Sequence, residues 1–503
     1  MRLSFPATFL AFLAILWVKA IYPPSSGIAD TDFYWHLAYG EWILQHSALP
    51  AGDVFSWTFR DAPYQLTQWL GEVAMGAAYA AAGLTGTKVL SVLLLAITLL
   101  AAWRAAARYV HTSLALGLAV LCNLIFVIMP MRPQLFSFCL LAVGMYLIVI
   151  WMETGRRRFL LFFPPLMALW VNLHGGFVTG LALIGLVAVG ITGEAFFARR
   201  LRESGASLRF VWIIVLGSFA ATLLNPYGYK ALATVAMIGQ LRSSTVIAEW
   251  LPVNFTNEVG WFYLLNLVPF VALLVLSGQR SRLTHGLIAS FFLVFGVLAN
   301  RQVAMCAAVM APLTAALLAR SPQYALFAPT LGNPSRPWVH GAIAVVLAIA
   351  LPLIVSFGDR RWEETMNLKH PVLATDFLVK HQLSDRVMSD TLEASYLIHR
   401  GVPVFIDGRM DLYRDHFFFQ WTMARSAAPG WDQLIAEHRP SSMLLRVEMA
   451  LRQVALTSGQ WKQVYEDEMY SVLVPASSPL PGLTPKPKRF FDEQGRMLRP
   501  YMP

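Results

Sequence analysis

Two carboxylates two residues apart, Asp30 and Asp32, are the sharpest chemical feature of this 503-residue chain, and Phe33-Tyr34-Trp35-His36 follows at once. In an extended stretch such a pair can bind a divalent cation, or one carboxylate can accept a proton while neighbours hold the other. A structural role is equally open, because Asp32 ahead of an amphipathic run makes a good helix N-cap.

Other polar residues interrupt apolar sequence. Arg132 lies between Met131 and Pro133, and Arg301 follows Asn300. A guanidinium fork suits phosphate better than a point charge does, though an arginine at a span end can also snorkel to lipid headgroups. Asn172 and His174 share a short turn with Gly175 and Gly176. Glycines there permit close backbone approach, and the imidazole can donate a hydrogen bond, shuttle a proton or simply brace the turn. Asn225-Pro226-Tyr227-Gly228 reads as turn chemistry, and Glu249 could add a carboxylate to the same side. The run Val402 to Ile406 reads as a buried strand ending in the charged turn Asp407-Gly408-Arg409-Met410-Asp411. Asp407 and Arg409 are placed to meet a ligand there, and an ion pair of Arg409 with Asp407 or Asp411 explains them as well.

The elements that must position these residues are mostly membrane spans. Hydrophobic residues make up 57% of the chain and charged ones 14%, with a mean hydropathy of +0.54, which excludes an ordinary water-soluble enzyme. A ruler of roughly 20 apolar residues finds about eleven spans. They lie near 6–22, 85–102, 113–130, 135–152, 159–173, 176–196, 210–224, 261–277, 283–299, 303–319 and 337–357. The first could instead be a cleaved signal sequence ending Val18-Lys19-Ala20. Up to Gly358 there are 21 basic and 11 acidic residues, and from Asp359 onward 18 of each, so the net charge of +10 belongs to the apolar part. Fourteen of those 21 basic residues fall at the N-terminus or in alternate loops, which places these in the cytoplasm. The excess is thus an orientation signal, and no nucleic-acid partner is expected. Cys122, Cys139 and Cys306 sit inside apolar runs and imply no disulfide framework.

Two segments stand outside the bilayer. Residues 23–84 form a first outer loop, in which Trp35, Leu37, Ile43 and Leu44, and then Leu66, Trp69, Leu70, Val73 and Ala74, fit two helices lying along the interface. Residues 358–475 alternate short β-like runs with helical patterns at Ala374–His381, Glu393–His399 and Trp431–His438, a small α/β domain. Residues 476–503 are a Pro-rich basic tail. The expected fold is therefore a polytopic α-helical membrane module over 1–357 followed by an extracytoplasmic α/β domain. No Walker loop, GxGxxG, HExxH or CxxC occurs.

This layout resembles the GT-C superfamily of integral-membrane glycosyltransferases. The run Asp30-Thr31-Asp32-Phe33-Tyr34-Trp35-His36-Leu37, with Gly40, Pro50, Asp53, Ser56 and Trp69, is similar to a bacterial group within it. The resemblance implies transfer of a sugar from a polyprenyl-phosphate carrier, usually with inversion, on the periplasmic face of the inner membrane, to a lipid, glycan or protein acceptor. It implies that Asp30 or Asp32 is the base or acceptor-orienting carboxylate, and that a divalent cation, magnesium or manganese, binds there in some members. On topology and charge, Arg132, Arg301 and His174 would hold the donor phosphate, and His36, Asn172, Glu249, Asp407 and Arg409 would line the acceptor side or cleft.

A transporter is the main reading from another class, but it calls for charged or broken spans near the midplane, and the span interiors here are nearly free of acids. A polymerase or ligase of lipid-linked glycans would usually carry its main outer loop later than 23–84. A non-catalytic assembly protein would use the outer domain as its binding module.

Overall fold

The computed structural model describes residues 12–19, 30–199, 205–276, 282–328 and 366–483. The expected span 337–357 and most of the tail lie outside these residues, as does 6–22 except for helical residues 12–19. The chain divides into two compact units. A helical unit takes 1–27, 66–239 and 244–359; a second takes 28–65, 240–243 and 360–503.

The helical unit holds the apolar segments. Five of its helices are long and apolar enough to cross a membrane: Trp69–Ala106, Gln134–Thr154, Phe177–Phe197, Glu258–Leu276 and, with its leading turn, Asn300–Leu318. Four shorter apolar segments, Thr112–Cys122, Arg158–Leu173, Gly205–Ala221 and Leu283–Leu298, fall on other expected spans. Val303–Leu318 is the core of the bundle, with every residue buried. Its Ala304, Ala307, Ala308, Ala311 and Ala315 let neighbouring helices approach closely, as small residues do in membrane bundles. At the periphery Ile213, Leu216, Phe219, Val268 and Val275 are exposed, an apolar surface suited to lipid.

Two expectations for the first loop need correction. Residues 66–74 do not form a separate interfacial helix: Trp69 opens the helix that runs to Ala106, broken only at Ala82 and Gly83. Gly83 takes a φ of 59°, a conformation that costs glycine little and ends the first limb. The helix Phe33–His46 exists, but nine residues, Phe33 to Gly40 and Ile43, are buried. An interfacial helix would bury one stripe; this one is packed nearly all round within the second unit, chiefly on Thr391–His399.

The second unit is built on a four-stranded sheet of β1 (Val387–Ser389), β2 (Ser442–Arg446), β3 (Trp461–Glu466) and β4 (Tyr470–Pro475), in the order β1-β2-β4-β3. β1 and β2 are parallel, with Met388 opposite Met443; β4 runs antiparallel to β2 and β3. Residues Met443, Leu444, Leu445, Val472, Leu473 and Val474 are buried, which explains near-continuous apolar runs rather than alternation. The expected strand Val402–Ile406 is only a pair of single bridges, from Val404 to Ser56 and to Val387. Pro403 lacks the N–H that a ladder would need. Helices Met410–Arg425 and Ala450–Thr457 were not expected from the pattern.

Candidate functional site

In the second unit Asp30 and Asp32 take different jobs. Asp30 is buried, and its Oδ1 accepts the backbone N–H groups of Asp32 at 2.9 Å and Phe33 at 3.0 Å. Asp32 occupies the N-cap position of Phe33–His46 but makes no side-chain capping bond. The capping role expected of Asp32 therefore falls to Asp30. Asp32 is partly exposed, and its Oδ1 lies so close to Gly408 that a Cβ there would overlap it. Trp35 Nε1 lies 3.4 Å from the same point. The ring of His36 packs on Trp35 at 3.6 Å, and both are buried. The N-terminal end of the helix is tied down by Ser395, whose Oγ accepts Trp35 N–H at 3.0 Å.

Behind Asp32 lies a fully buried charge cluster. Arg409 Nε and a terminal nitrogen bind the two oxygens of Asp407, at 2.8 and 2.5 Å. Its other terminal nitrogen binds Asp53 and the Tyr39 hydroxyl. Tyr413 donates to Asp407 at 2.8 Å, and Ser56 donates to Asp53 through N–H and hydroxyl. Rings of Tyr39, Phe55, Tyr64 and Tyr413 surround the guanidinium at 5.4 to 6.0 Å. Burial is the largest influence and opposes the charge on Arg409, but Asp407, Tyr39 and Tyr413 together outweigh it and hold its pKa well above the usual value. Asp407 and Arg409, expected at a cleft, thus form the structural ion pair that was the other reading, with side chains at 0% exposure. Asp53, Tyr39 and Tyr413 were missed as members. Asp53 alone could have been suspected, as a carboxylate in the acidic first loop.

In the helical unit Arg132, Glu249 and Arg301 come together. Arg132 pairs with Glu249 at 3.0 Å, and Arg301 lies over the Trp250 ring at 4.3 Å. Asn300 fastens its turn to this segment, donating to Leu251 O at 2.9 Å and Ala248 O at 3.0 Å. Arg132 first, then Arg301, holds the Glu249 carboxyl below its usual pKa, against burial. Glu249 is therefore the counterion of an otherwise cationic cluster.

His174 is fixed beside this cluster. Its Nδ1 accepts Gly176 N–H at 2.9 Å and lies 2.7 Å from Ser137 Oγ, which itself accepts Trp170 Nε1–H at 2.7 Å. Burial first, then Arg301, pushes the imidazole pKa down to about 3, so the ring is a neutral donor rather than a proton shuttle near neutrality. Asn172 is a brace: it accepts Trp69 Nε1–H at 2.9 Å and donates to Ala168 O at 2.8 Å and Leu224 O at 2.9 Å. Its hydrogen-bonding capacity is nearly used up, which argues against an acceptor contact.

Among the described residues no group of three or more His, Cys, Asp or Glu side chains could hold a metal ion. Of the acidic pair, one Asp30 oxygen is committed to backbone N–H groups.

The architecture has solved counterparts over nearly the whole chain. ArnT from Cupriavidus metallidurans, bound to undecaprenyl phosphate, matches with a TM-score of 0.51 at 15% identity, covering 94% of this chain and 98% of that one. The oligosaccharyltransferase AglB from the archaeon Archaeoglobus fulgidus, in complex with an inhibitory peptide and a dolichol-phosphate, matches at 0.53 and 10%, covering 93% and 74%. Both are membrane glycosyltransferases of the GT-C superfamily. The fold is GT-C. At these identities the likeness is one of fold, and the site residues of this chain stand on its own geometry. No family model matches the sequence, nor does any curated protein.

Proposed function

We propose that the protein is an inverting glycosyltransferase that moves a sugar from a polyprenyl-phosphate-linked donor to an acceptor at the periplasmic face of a bacterial inner membrane, with Asp32 as the base. The observation that carries this reading is a GT-C fold whose first-loop acidic pair is divided: Asp30 caps the helix, while Asp32 makes no capping bond. The lipid phosphates named with the two solved neighbours support a donor of the same kind.

In this mechanism the Asp32 carboxylate takes the proton of an acceptor hydroxyl as its oxygen attacks the anomeric carbon. The bond from that carbon to the phosphate oxygen breaks, and its electron pair leaves on the lipid phosphate. A single displacement inverts the anomeric centre. Within the helical unit, Arg132, Arg301 and the neutral His174 form a cluster suited to an anionic phosphate. The cytoplasmic N-terminus and periplasmic second unit follow from the basic residues of alternate loops.

The test is Asp32→Asn in a deletion strain, with envelope glycans and glycolipids compared by mass spectrometry. A general base contributes roughly 10²- to 10⁴-fold, so product falls at least about 100-fold. Undecaprenyl phosphate binding by the purified variant stays unchanged. Product formed at the parent level by the variant overturns the reading.

A further inference from the structure

We propose that Ser137 is a positioning residue: with Gly176 and Trp170 it locks His174 so that Nε2–H, a neutral donor, faces an oxyanion of the lipid phosphate. This rests on the phosphate-holding reading above and adds to it the atom that makes the bond and the residues that fix it.

The hydrogen-bond chain sets the tautomer. Nδ1 accepts the Gly176 N–H at 2.9 Å, so it carries no proton. Trp170 Nε1 can only donate, and it donates to Ser137 Oγ at 2.7 Å. The Ser137 hydroxyl is then left to donate its own hydrogen to Nδ1, 2.7 Å away. With two donors on Nδ1, the ring proton sits on Nε2. His174 is partly exposed, and Nε2 has no hydrogen-bond partner among the described residues.

The chain is built tightly. Ser137 and Trp170 are completely buried. A Cβ on Gly176 would overlap Ser137 Oγ and come within 2.8 Å of Met305 Cε and 2.9 Å of His174 Nδ1. The second glycine of the turn is therefore required by the serine–histidine contact. A Ser–His nucleophile is not the explanation, since a serine with no exposed surface cannot reach a substrate.

A neutral donor has a physical use here. Arg132 and Arg301 already supply charge, offset in part by Glu249. Nε2–H adds direction to the phosphate oxygen without a second desolvated cation beside Arg301.

The experiment measures undecaprenyl phosphate binding by the full-length protein in nanodiscs at one fixed pH, so that titration of the ligand cancels between variants. His174→Ala weakens binding about 10- to 100-fold, as loss of a hydrogen bond to a charged group does. His174→Gln restores most of it, because its amide offers an N–H near the place of Nε2. Ser137→Ala weakens binding about 10-fold in the parent and less than about 2-fold in the His174→Gln background, where there is no Nδ1 to hold. Equal losses in both backgrounds make Ser137 merely structural and overturn the proposal. Parent-like binding by His174→Ala overturns it while leaving the phosphate site to Arg132 and Arg301. A parent protein that binds no undecaprenyl phosphate removes the phosphate reading and this inference together.

Discussion

Asp32 Oδ1 lies against the Cα of Gly408, in the space that a Cβ at that position would fill. The first loop and the segment after Ile406 are thereby matched to one another within the second unit. Gly408→Ala is expected to push the carboxylate aside by a few tenths of an ångström or more. Product should fall at least about 10-fold, since small misplacements of a catalytic group are costly. The melting temperature should change little, because Gly408 is partly exposed. Unaltered product would show that the position of Asp32 is not set by this contact.

The division of labour between the two aspartates gives a second expectation. Asp30→Ala removes the acceptor for the Asp32 and Phe33 N–H groups and should cost about 1 kcal/mol, read as a lower melting midpoint. Asp30→Asn keeps an Oδ1 acceptor and should retain both stability and product. If Asp30→Asn loses product as Asp32→Asn does, with its melting unchanged, Asp30 has a chemical role and the assignment fails.

Five long apolar helices were legible because an apolar run near 20 residues has few other fates, and Gln134–Thr154 and Phe177–Phe197 lie within two residues of the expected bounds. The α/β character of the second unit was legible from apolar runs such as Met443–Leu445. Its composition was not, because residues 28–65 join it through pairings distant in sequence, Trp35 with Ser395 and Ser56 with Val404. For the same reason Asp53 could not be named as the partner of Arg409, more than 350 residues away. Ser137 was invisible, since a serine in an apolar run carries no mark of the histidine it meets. Asp30, Asp32 and His174 were singled out by type and place, but which aspartate caps and which histidine nitrogen accepts depend on neighbouring N–H groups.

Arg409 is expected to be a stability residue rather than a ligand contact. Its fork satisfies Asp407 and Asp53 at once, and all three side chains have no exposure. Arg409→Lys cannot keep the two-sided bonding, so it leaves a buried carboxylate under-compensated at a cost of about 3 to 5 kcal/mol. A large fall in the melting midpoint and faster proteolysis of the second unit are the readouts. A variant that melts with the parent but loses product would reassign Arg409 to the substrate.

Glu393 should make stability fall as pH rises. Burial first, then Asp390, lifts its carboxyl to about 7 against the pull of Arg446, compared with 4.5 for an ordinary glutamate. Between these values the folded chain holds a proton that the unfolded chain has released, so raising the pH favours unfolding. Asp411, lifted to about 6 mainly by burial, acts in the same sense, and His399, lowered to about 4 mainly by burial, acts in the opposite one. Subtracting the parent from Glu393→Gln isolates the site. The melting difference should move in favour of Gln from pH 5 to pH 7 and then level off. A difference that stays flat across that range would mean Glu393 titrates normally in the fold.

On the proposed phosphate-holding role of Arg132, Glu249 is expected to compete with the phosphate for it. The pair is 3.0 Å apart, with the Glu249 side chain 43% exposed and that of Arg132 10% exposed, so the anion that holds the guanidinium is itself reachable by solvent. Arg132→Ala and Arg301→Ala should each weaken undecaprenyl phosphate binding, by about 10-fold for a charge-assisted contact. Glu249→Gln should strengthen it, by about 3- to 10-fold, because one negative charge leaves the cluster while the arginines stay. All three differences should shrink as salt is raised, since the site is open enough to be screened. If Glu249→Gln instead weakens binding as much as Arg132→Ala does, the carboxylate acts by aiming the guanidinium, and competition is the wrong description.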